Sequence, residues 1–139
     1  MLAKEFSSFN DTANYETKKV YFYKRAQLLV HDLWCTFSGR SWGNFIDLEN
    51  LTAFADYKLP QVLRHLAILR YQPELAELIQ NLVQLPAGSV EEVEIRAATV
   101  WAVELLRQKL TNHDLRVNSP QLDNWLWYLG QEDAYRALP

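Results

Sequence analysis

The sequence predicts a single all-α domain, on three observations. Apolar residues recur at helical spacing in several segments, no segment alternates convincingly with period two, and Pro and capping residues stand where helices would begin. Residues 1–17 are polar, with Ser7, Ser8, Asn10, Asp11, Thr12 and Asn14, and read as an irregular lead-in. From about Lys19 to Phe37 the positions Phe22, Ala26, Leu29, Val30, Leu33 and Phe37 form a wide apolar helical face. Lys24, Gln27 and His31 share one edge of that helix, and Arg25 and Asp32 another. The stretch Ser38-Gly39-Arg40-Ser41-Trp42-Gly43-Asn44 reads as a loop.

A short helix is expected over Asp47 to Ala55, and another from Pro60 to about Arg70 with Val62, Leu63, Leu66 and Leu69 inward. Pro73 opens the next, carrying Leu75, Leu78, Ile79 and Leu82, and Pro86-Ala87-Gly88 ends it. Ser89-Val90-Glu91-Glu92 matches a capping box and starts the longest helix, to about Asn112. That helix is apolar nearly all round, which predicts a central position. Ser119-Pro120 starts the last, with Leu122, Trp125, Leu126 and Leu129 on its core face.

The 139 residues fit one domain, and 49% of them are apolar, enough for a real core. A formal net charge of −3 argues against a strongly electrostatic nucleic-acid binder. The single cysteine, Cys35, excludes an intrachain disulfide and a cysteine-rich metal site. Neither a signal peptide nor an uninterrupted apolar span is read, so the expected compartment is the cytoplasm. The three histidines stand at no metal-ligand spacing, and neither a Walker sequence nor a G-x-G-x-x-G is present.

The segment Phe54-Ala55-Asp56-Tyr57-Lys58-Leu59-Pro60 carries the most chemistry. It puts a carboxylate beside an aromatic ring and a base, just ahead of a helix. Asp56 there feels the positive end of the helix dipole and is expected to be ionised at neutral pH. An ionised carboxylate in an aromatic setting suits a reaction that develops positive charge, such as glycosidic cleavage. On this segment alone it better suits a turn aspartate that satisfies helix N–H groups. Glu94 shares a face with Ala98, Trp101 and Leu105 and reads as either a structural buried pair or a site residue. Arg96, four residues after Glu92, reads as one half of a surface pair. Lys24 is a snorkelling lysine or a cation for a carboxylate or phosphate. Cys35, one turn beyond His31, reads as a packed thiol more readily than as a nucleophile. Asp123 and Trp127, one turn apart, mark either a ligand edge or a half-exposed helix face.

Several of these segments resemble the signatures of one family. Tyr23-Lys24-Arg25-Ala26-Gln27, with Asp32-Leu33-Trp34, resembles a "YKRAQ…DLW" helix. The run from Leu51 to Leu63 is similar to "LTMFADYRVPQVL", with Ala53, Lys58 and Leu59 as departures. Gly88-Ser89, Glu92 to Arg96, Val103-Glu104-Leu105, Asn118-Ser119, Leu122-Asp123 and Leu126-Trp127 follow in the same order. Over about Val20 to Trp127 the chain thus resembles the queuosine salvage proteins, the queuosine 5′-phosphate N-glycosylases. The resemblance implies hydrolysis of the N-glycosidic bond of queuosine 5′-phosphate, releasing queuine for reinsertion into tRNA. It implies a helical fold similar to that of helix-hairpin-helix DNA glycosylases and no metal or other cofactor. It implies Asp56 as the catalytic residue, Lys24 beside it, and Tyr57, Glu94, Trp101 and Asp123 around the substrate. Queuine is a 7-deaza base and lacks the N7 that many purine glycosylases protonate, which shifts the catalytic burden to the sugar.

Family members are considerably longer on the N-terminal side and continue into a basic, aromatic tail. The chain is therefore expected to correspond to the C-terminal half alone, with the N-terminal half as a separate partner in one arrangement. The competing expectation is a non-catalytic helical interaction module, or an inactive remnant that kept the core and lost part of the pocket. A small-molecule nucleotide is the expected partner, with neither membrane nor direct nucleic-acid binding.

Overall fold

The computed structural model describes residues 2–139. Helices dominate: α1 (Leu2–Glu5), α2 (Lys24–Thr36), α3 (Lys58–His65), α4 (Pro73–Gln80), α5 (Val90–Thr111), α6 (Ser119–Leu129) and α7 (Asp133–Arg136). Short 3-10 turns cover Ser7–Phe9, Ser41–Gly43 and Leu48–Asn50. The fold is not purely α-helical. Inside the expected lead-in, β1 (Thr12–Tyr15) pairs antiparallel with β2 (Lys18–Tyr21), Thr12 opposite Tyr21 and Tyr15 opposite Lys18. The hairpin turns through Glu16-Thr17, with Glu16 left-handed at φ 53°. That turn lacks the Asn-Gly or Asp-Gly signal that announces most such hairpins, so periodicity alone did not reveal it. It also moves the start of α2 from Lys19 to Lys24.

The main core is Ala53, Leu59, Val62 and Leu63 against Ala102 and Val103 of α5 and Leu122 and Leu126 of α6. A smaller cluster, Phe22, Ala55 and Val93, seats the hairpin on α5 through Ala13, Tyr15 and Val20. α3 is the most deeply set helix, with Lys58, Leu59, Pro60, Val62 and Leu63 all buried. α5 buries one face only, through Val93, Thr99, Ala102 and Val103. Val90, Trp101 and Leu105 are exposed, so its all-round apolar composition does not make it central. Trp125 of α6 and Leu82 after α4 also face outward, against the expectation that they fill the core.

Helix starts follow their capping chemistry. Ser89 Oγ accepts from the Glu92 N–H at 3.3 Å, while the Glu92 carboxylate accepts from Gly88 N–H. Asn118 and Gln121 exchange side chain to backbone bonds in a complete capping box at α6. Helix ends were harder to read. α3 stops at His65, short of Arg70, because Ala67 turns left-handed (φ 58°) and Ile68 N–H closes onto the Leu63 carbonyl. Leu82 (φ 55°) ends α4 in the same way. The expected helix over Asp47 to Ala55 is a 3-10 turn over Leu48–Asn50 that ends at an extended Leu51, followed by irregular backbone through Ala55.

Gly43 lies where the loop after α2 folds back onto that helix. A Cβ there would sit 2.6 Å from the Leu33 carbonyl oxygen and 3.1 Å from Trp34 Cα, both backbone atoms. Gly43→Ala is expected to destabilise by about 1–3 kcal/mol through this overpacking. A thermal melt equal to wild type would show that the loop gives way freely.

Candidate active site

The buried, irregular segment Ala53–Ala55 runs into α3, and its end presents Asp56. Asp56 Oδ1 accepts from the N–H groups of Lys58 (2.9 Å) and Leu59 (3.2 Å), the first two residues of the helix. The carboxylate therefore caps α3, and its charge faces the positive end of the helix dipole. α3 begins at Lys58, two residues ahead of Pro60, because this cap supplies the first turn. Oδ2 remains for other work, and Lys24 Nζ stands 3.9 Å from it. Asp56 is 11% exposed by side chain and Lys24 32%, so the pair sits at the mouth of a cleft.

Two clefts meet at this pair. The larger, of about 390 Å³, is lined by Lys24, Asp56 and Tyr57, with Tyr71, Ile79 and Ile95 among its walls. Gln61 lines it too, and Gln61 Oε1 is the one buried side-chain oxygen or nitrogen without a partner among the described residues. The smaller, of about 280 Å³, runs from Lys24 and Asp56 to Asp123, Asn124, Trp127 and Tyr128. Together they have the size and the few convergent polar groups expected of a small-molecule site.

Asp123 is not on a half-exposed face. It is 4% exposed, and its Oδ2 accepts from the Phe54 N–H at 2.7 Å, tying α6 to the segment before Asp56. Burial, with the nearby Asp56 carboxylate adding to it, outweighs that bond and Lys24, and the Asp123 carboxyl is pushed up to about 7. The site thus pairs a carboxylate that caps a helix with a buried one that titrates near neutrality.

Of the residues predicted around the substrate, Lys24, Asp56, Tyr57 and Asp123 converge. Tyr57 is exposed, and its ring lies under Lys58 Nζ at 5.8 Å from the centroid. Glu94 and Trp101 do not join them. Glu94 is exposed on α5 and accepts from the Tyr15 hydroxyl at 2.6 Å, across to the hairpin. Trp101 is 63% exposed and lines a separate apolar groove with Ile68, Leu69 and Leu105. Helical geometry explains the difference: only Glu92, Ile95 and Arg96 of α5 line the larger cleft.

Arg96 was overlooked as a site-lining residue. Its spacing from Glu92 disguised it as a surface pair, and that contact does exist at 3.5 Å, but the guanidinium also stacks on the Phe22 ring at 3.9 Å. No local signal marks it, because its principal partner, Asp11, is in the hairpin region. His31 is buried between Trp34 and Phe54, and burial lowers its pKa. Cys35 is an exposed residue whose sulfur lies 3.7 Å from His31 Nε2, and partial desolvation of the sulfur, with the nearby Asp32 charge, raises its pKa, away from nucleophile character. Among the described residues, no group of three or more His, Cys, Asp or Glu side chains could hold a metal ion. No helix among them is long and apolar enough to cross a membrane.

The sequence model of the queuosine salvage protein family matches residues 1–138. A protein of Sphaerobacter thermophilus named queuosine 5′-phosphate N-glycosylase/hydrolase is 50% identical over 139 residues, all of this chain and 43% of that protein. Proteins of the same name from Dictyostelium discoideum and Mus musculus are 44% and 40% identical, over 94% and 95% of this chain and 41% of each relative. The chain thus spans about two fifths of the length of these curated relatives. On the match along nearly its whole length, the chain belongs to the queuosine salvage protein family.

Proposed function

We propose that this chain provides the catalytic part of a queuosine 5′-phosphate N-glycosylase, which hydrolyses the bond between the ribose and the 7-deaza base and releases queuine. The observation that carries the reading is the Lys24–Asp56 pair at the junction of two clefts, with Asp56 Oδ1 held by the helix and Oδ2 turned toward Lys24. A glycosidic bond set across that junction would place its anomeric carbon by Oδ2. As the C1′–N bond breaks, its electron pair leaves with the base and positive charge develops on the sugar. Asp56 stabilises that charge directly, or bonds to C1′ until water displaces it. Water supplies its oxygen to C1′ and its proton goes to the departing base nitrogen. Lys24 orients Oδ2 and offsets its charge before the sugar becomes cationic.

The smaller cleft suits the base. The Asp123 carboxyl and the Asn124 amide offer complementary hydrogen-bonding groups, and Trp127 offers a stacking surface. Tyr57 flanks the sugar side. We read Glu94 and Trp101 as remote from the substrate. The helical core built on α3, α5 and α6 supports a likeness to the helix-hairpin-helix DNA glycosylases, and we read residues 1–139 as one domain equivalent to the C-terminal part of the longer relatives. A separate chain supplying the remaining length would cover apolar surface such as the Trp101–Leu105 groove. That groove also favours the second reading, a helical interaction module.

The test is queuine release from queuosine 5′-phosphate, followed by chromatography, with this chain alone and after addition of the remaining region of the Sphaerobacter thermophilus relative. Release by the chain alone, or only by the mixture, supports the catalytic reading. Release in neither supports the interaction module.

A further inference from the structure

Asp11 lies in the stretch expected to be irregular, yet it holds the start of α2. Its backbone carbonyl accepts from the N–H groups of Phe22 (3.0 Å) and Tyr23 (3.1 Å), and its Oδ2 accepts from the N–H of Lys24 at 3.1 Å. Three successive residues are therefore tied to one aspartate. The middle one, Tyr23, is left-handed at φ 49°, a conformation that a bulky residue keeps only when its surroundings hold it. Asp11 is in turn gripped from α5. Arg96 Nη1 donates to Oδ1 at 3.0 Å and Nη2 to Oδ2, a bidentate pair joining residues 85 apart in sequence. Arg96 is itself fixed by the Phe22 ring and by Glu92. The Arg96 and Asp11 side chains are only 16% and 25% exposed, so water screens the pair weakly. Burial opposes the Asp11 charge, but the Arg96 bonds and the Lys24 N–H outweigh it, and its carboxyl lies below the usual range.

We propose that Asp11 and Arg96 are positioning residues that set Lys24 against Asp56, an inference that rests on this pair being the reaction centre. Arg96 borders the larger cleft, and both of its terminal nitrogens bond Asp11 while one also meets Glu92, so its role is a brace between α5 and the start of α2. The Lys24 contact is 3.9 Å, long for an ion pair, and a small shift of the α2 start abolishes it. The hairpin thereby acquires a purpose: it carries Asp11 from the N-terminal region to the point where α2, α5 and the cleft meet.

Two single variants, Asp11→Asn and Arg96→Gln, and their double combination test the brace. Asn keeps the shape and the acceptor for the Lys24 N–H while removing the charge, so at least one variant retains the fold, checked by its melt. The first readout is acetylation of Lys24 by a water-soluble active ester, measured by mass spectrometry relative to the exposed Lys109. It is expected to rise several-fold in both single variants, as in Asp56→Asn. The second is steady-state hydrolysis of queuosine 5′-phosphate by whichever form of the wild type is active. There kcat is expected to fall about tenfold or more with KM within about threefold, and the double variant to be little worse than the singles. Arg96→Lys, which retains one charge, is expected to recover part of kcat. Unchanged Lys24 labelling in folded variants overturns the proposal, as does a kcat loss that only tracks the unfolded fraction. If the wild type releases no queuine in any form, the catalytic reading falls and the labelling alone decides whether the brace exists.

Discussion

Replacing Asp56 by Asn is expected to reduce queuine release by roughly a hundredfold to a thousandfold or more, with little change in stability or KM. The two roles of the carboxylate separate cleanly in this variant. As a cap, Asp56 accepts from Lys58 and Leu59 N–H through Oδ1, and an asparagine amide oxygen does the same. The change in stability should therefore stay within about 1 kcal/mol. As a charge, Asp56 faces Lys24 through Oδ2, and the amide leaves nothing to stabilise a developing sugar cation. Single-turnover release, read by chromatography beside a thermal melt, distinguishes the two roles. An unchanged rate would reduce Asp56 to a helix cap. The next carboxylate to test would then be Asp123, which shares the smaller cleft, and not Glu94, which is turned to Tyr15.

What was legible in the sequence follows from how far each interaction reaches. The caps at Ser89 and Asn118, the helix after Asp56 and the apolar faces of α3 and α6 depend on residues within one or two turns, and local chemistry announces them. The meeting of Lys24 and Asp56 was expected from two motifs 32 positions apart, on resemblance and not on periodicity. Three features stayed hidden because each is decided at a distance. The hairpin is held by Ala13, Tyr15 and Val20 against α5, and its turn has no glycine to signal it. α3 and α4 end on left-handed Ala67 and Leu82, residue types that normally continue a helix, so tertiary packing sets the stop. Asp123 looked half-exposed because its helical position says nothing about Phe54, 69 residues earlier, whose N–H it accepts. Glu94 and Trp101 lie away from the Lys24–Asp56 clefts for the opposite reason: their neighbours on α5 are apolar, but Glu94 meets only the Tyr15 hydroxyl and Trp101 stays 63% exposed in a groove beside Ile68 and Leu69.

Replacing Asp123 by Asn is expected to stabilise the fold at pH 8 by as much as roughly 4 kcal/mol, and far less at pH 4. The sign follows from proton linkage. An aspartate unfolded in water releases its proton near 3.8, whereas burial beside Asp56 pushes Asp123 in the folded chain up to about 7. Between these values the folded state binds the proton and the unfolded state does not, so rising pH favours unfolding. The stability that Asp123 contributes is fully present below about pH 4, is lost as pH rises toward 7, and is level above it. Asn is neutral throughout, still accepts from the Phe54 N–H, and still has a donor to replace the carboxyl proton. The difference between variant and wild type should therefore grow from pH 4 to 7 and then stop growing, which denaturant titrations at matched ionic strength would measure. Taking that difference cancels the other carboxylates, which titrate in both proteins. A difference flat from pH 5 to 8 would mean that Asp123 is ionised in the folded chain and that Lys24 divides its charge between two carboxylates. The expected slope means instead that below about pH 7 Asp123 is mostly neutral, which leaves the Lys24 charge to Asp56, and that Asp123 then has an O–H to donate to whatever enters the smaller cleft.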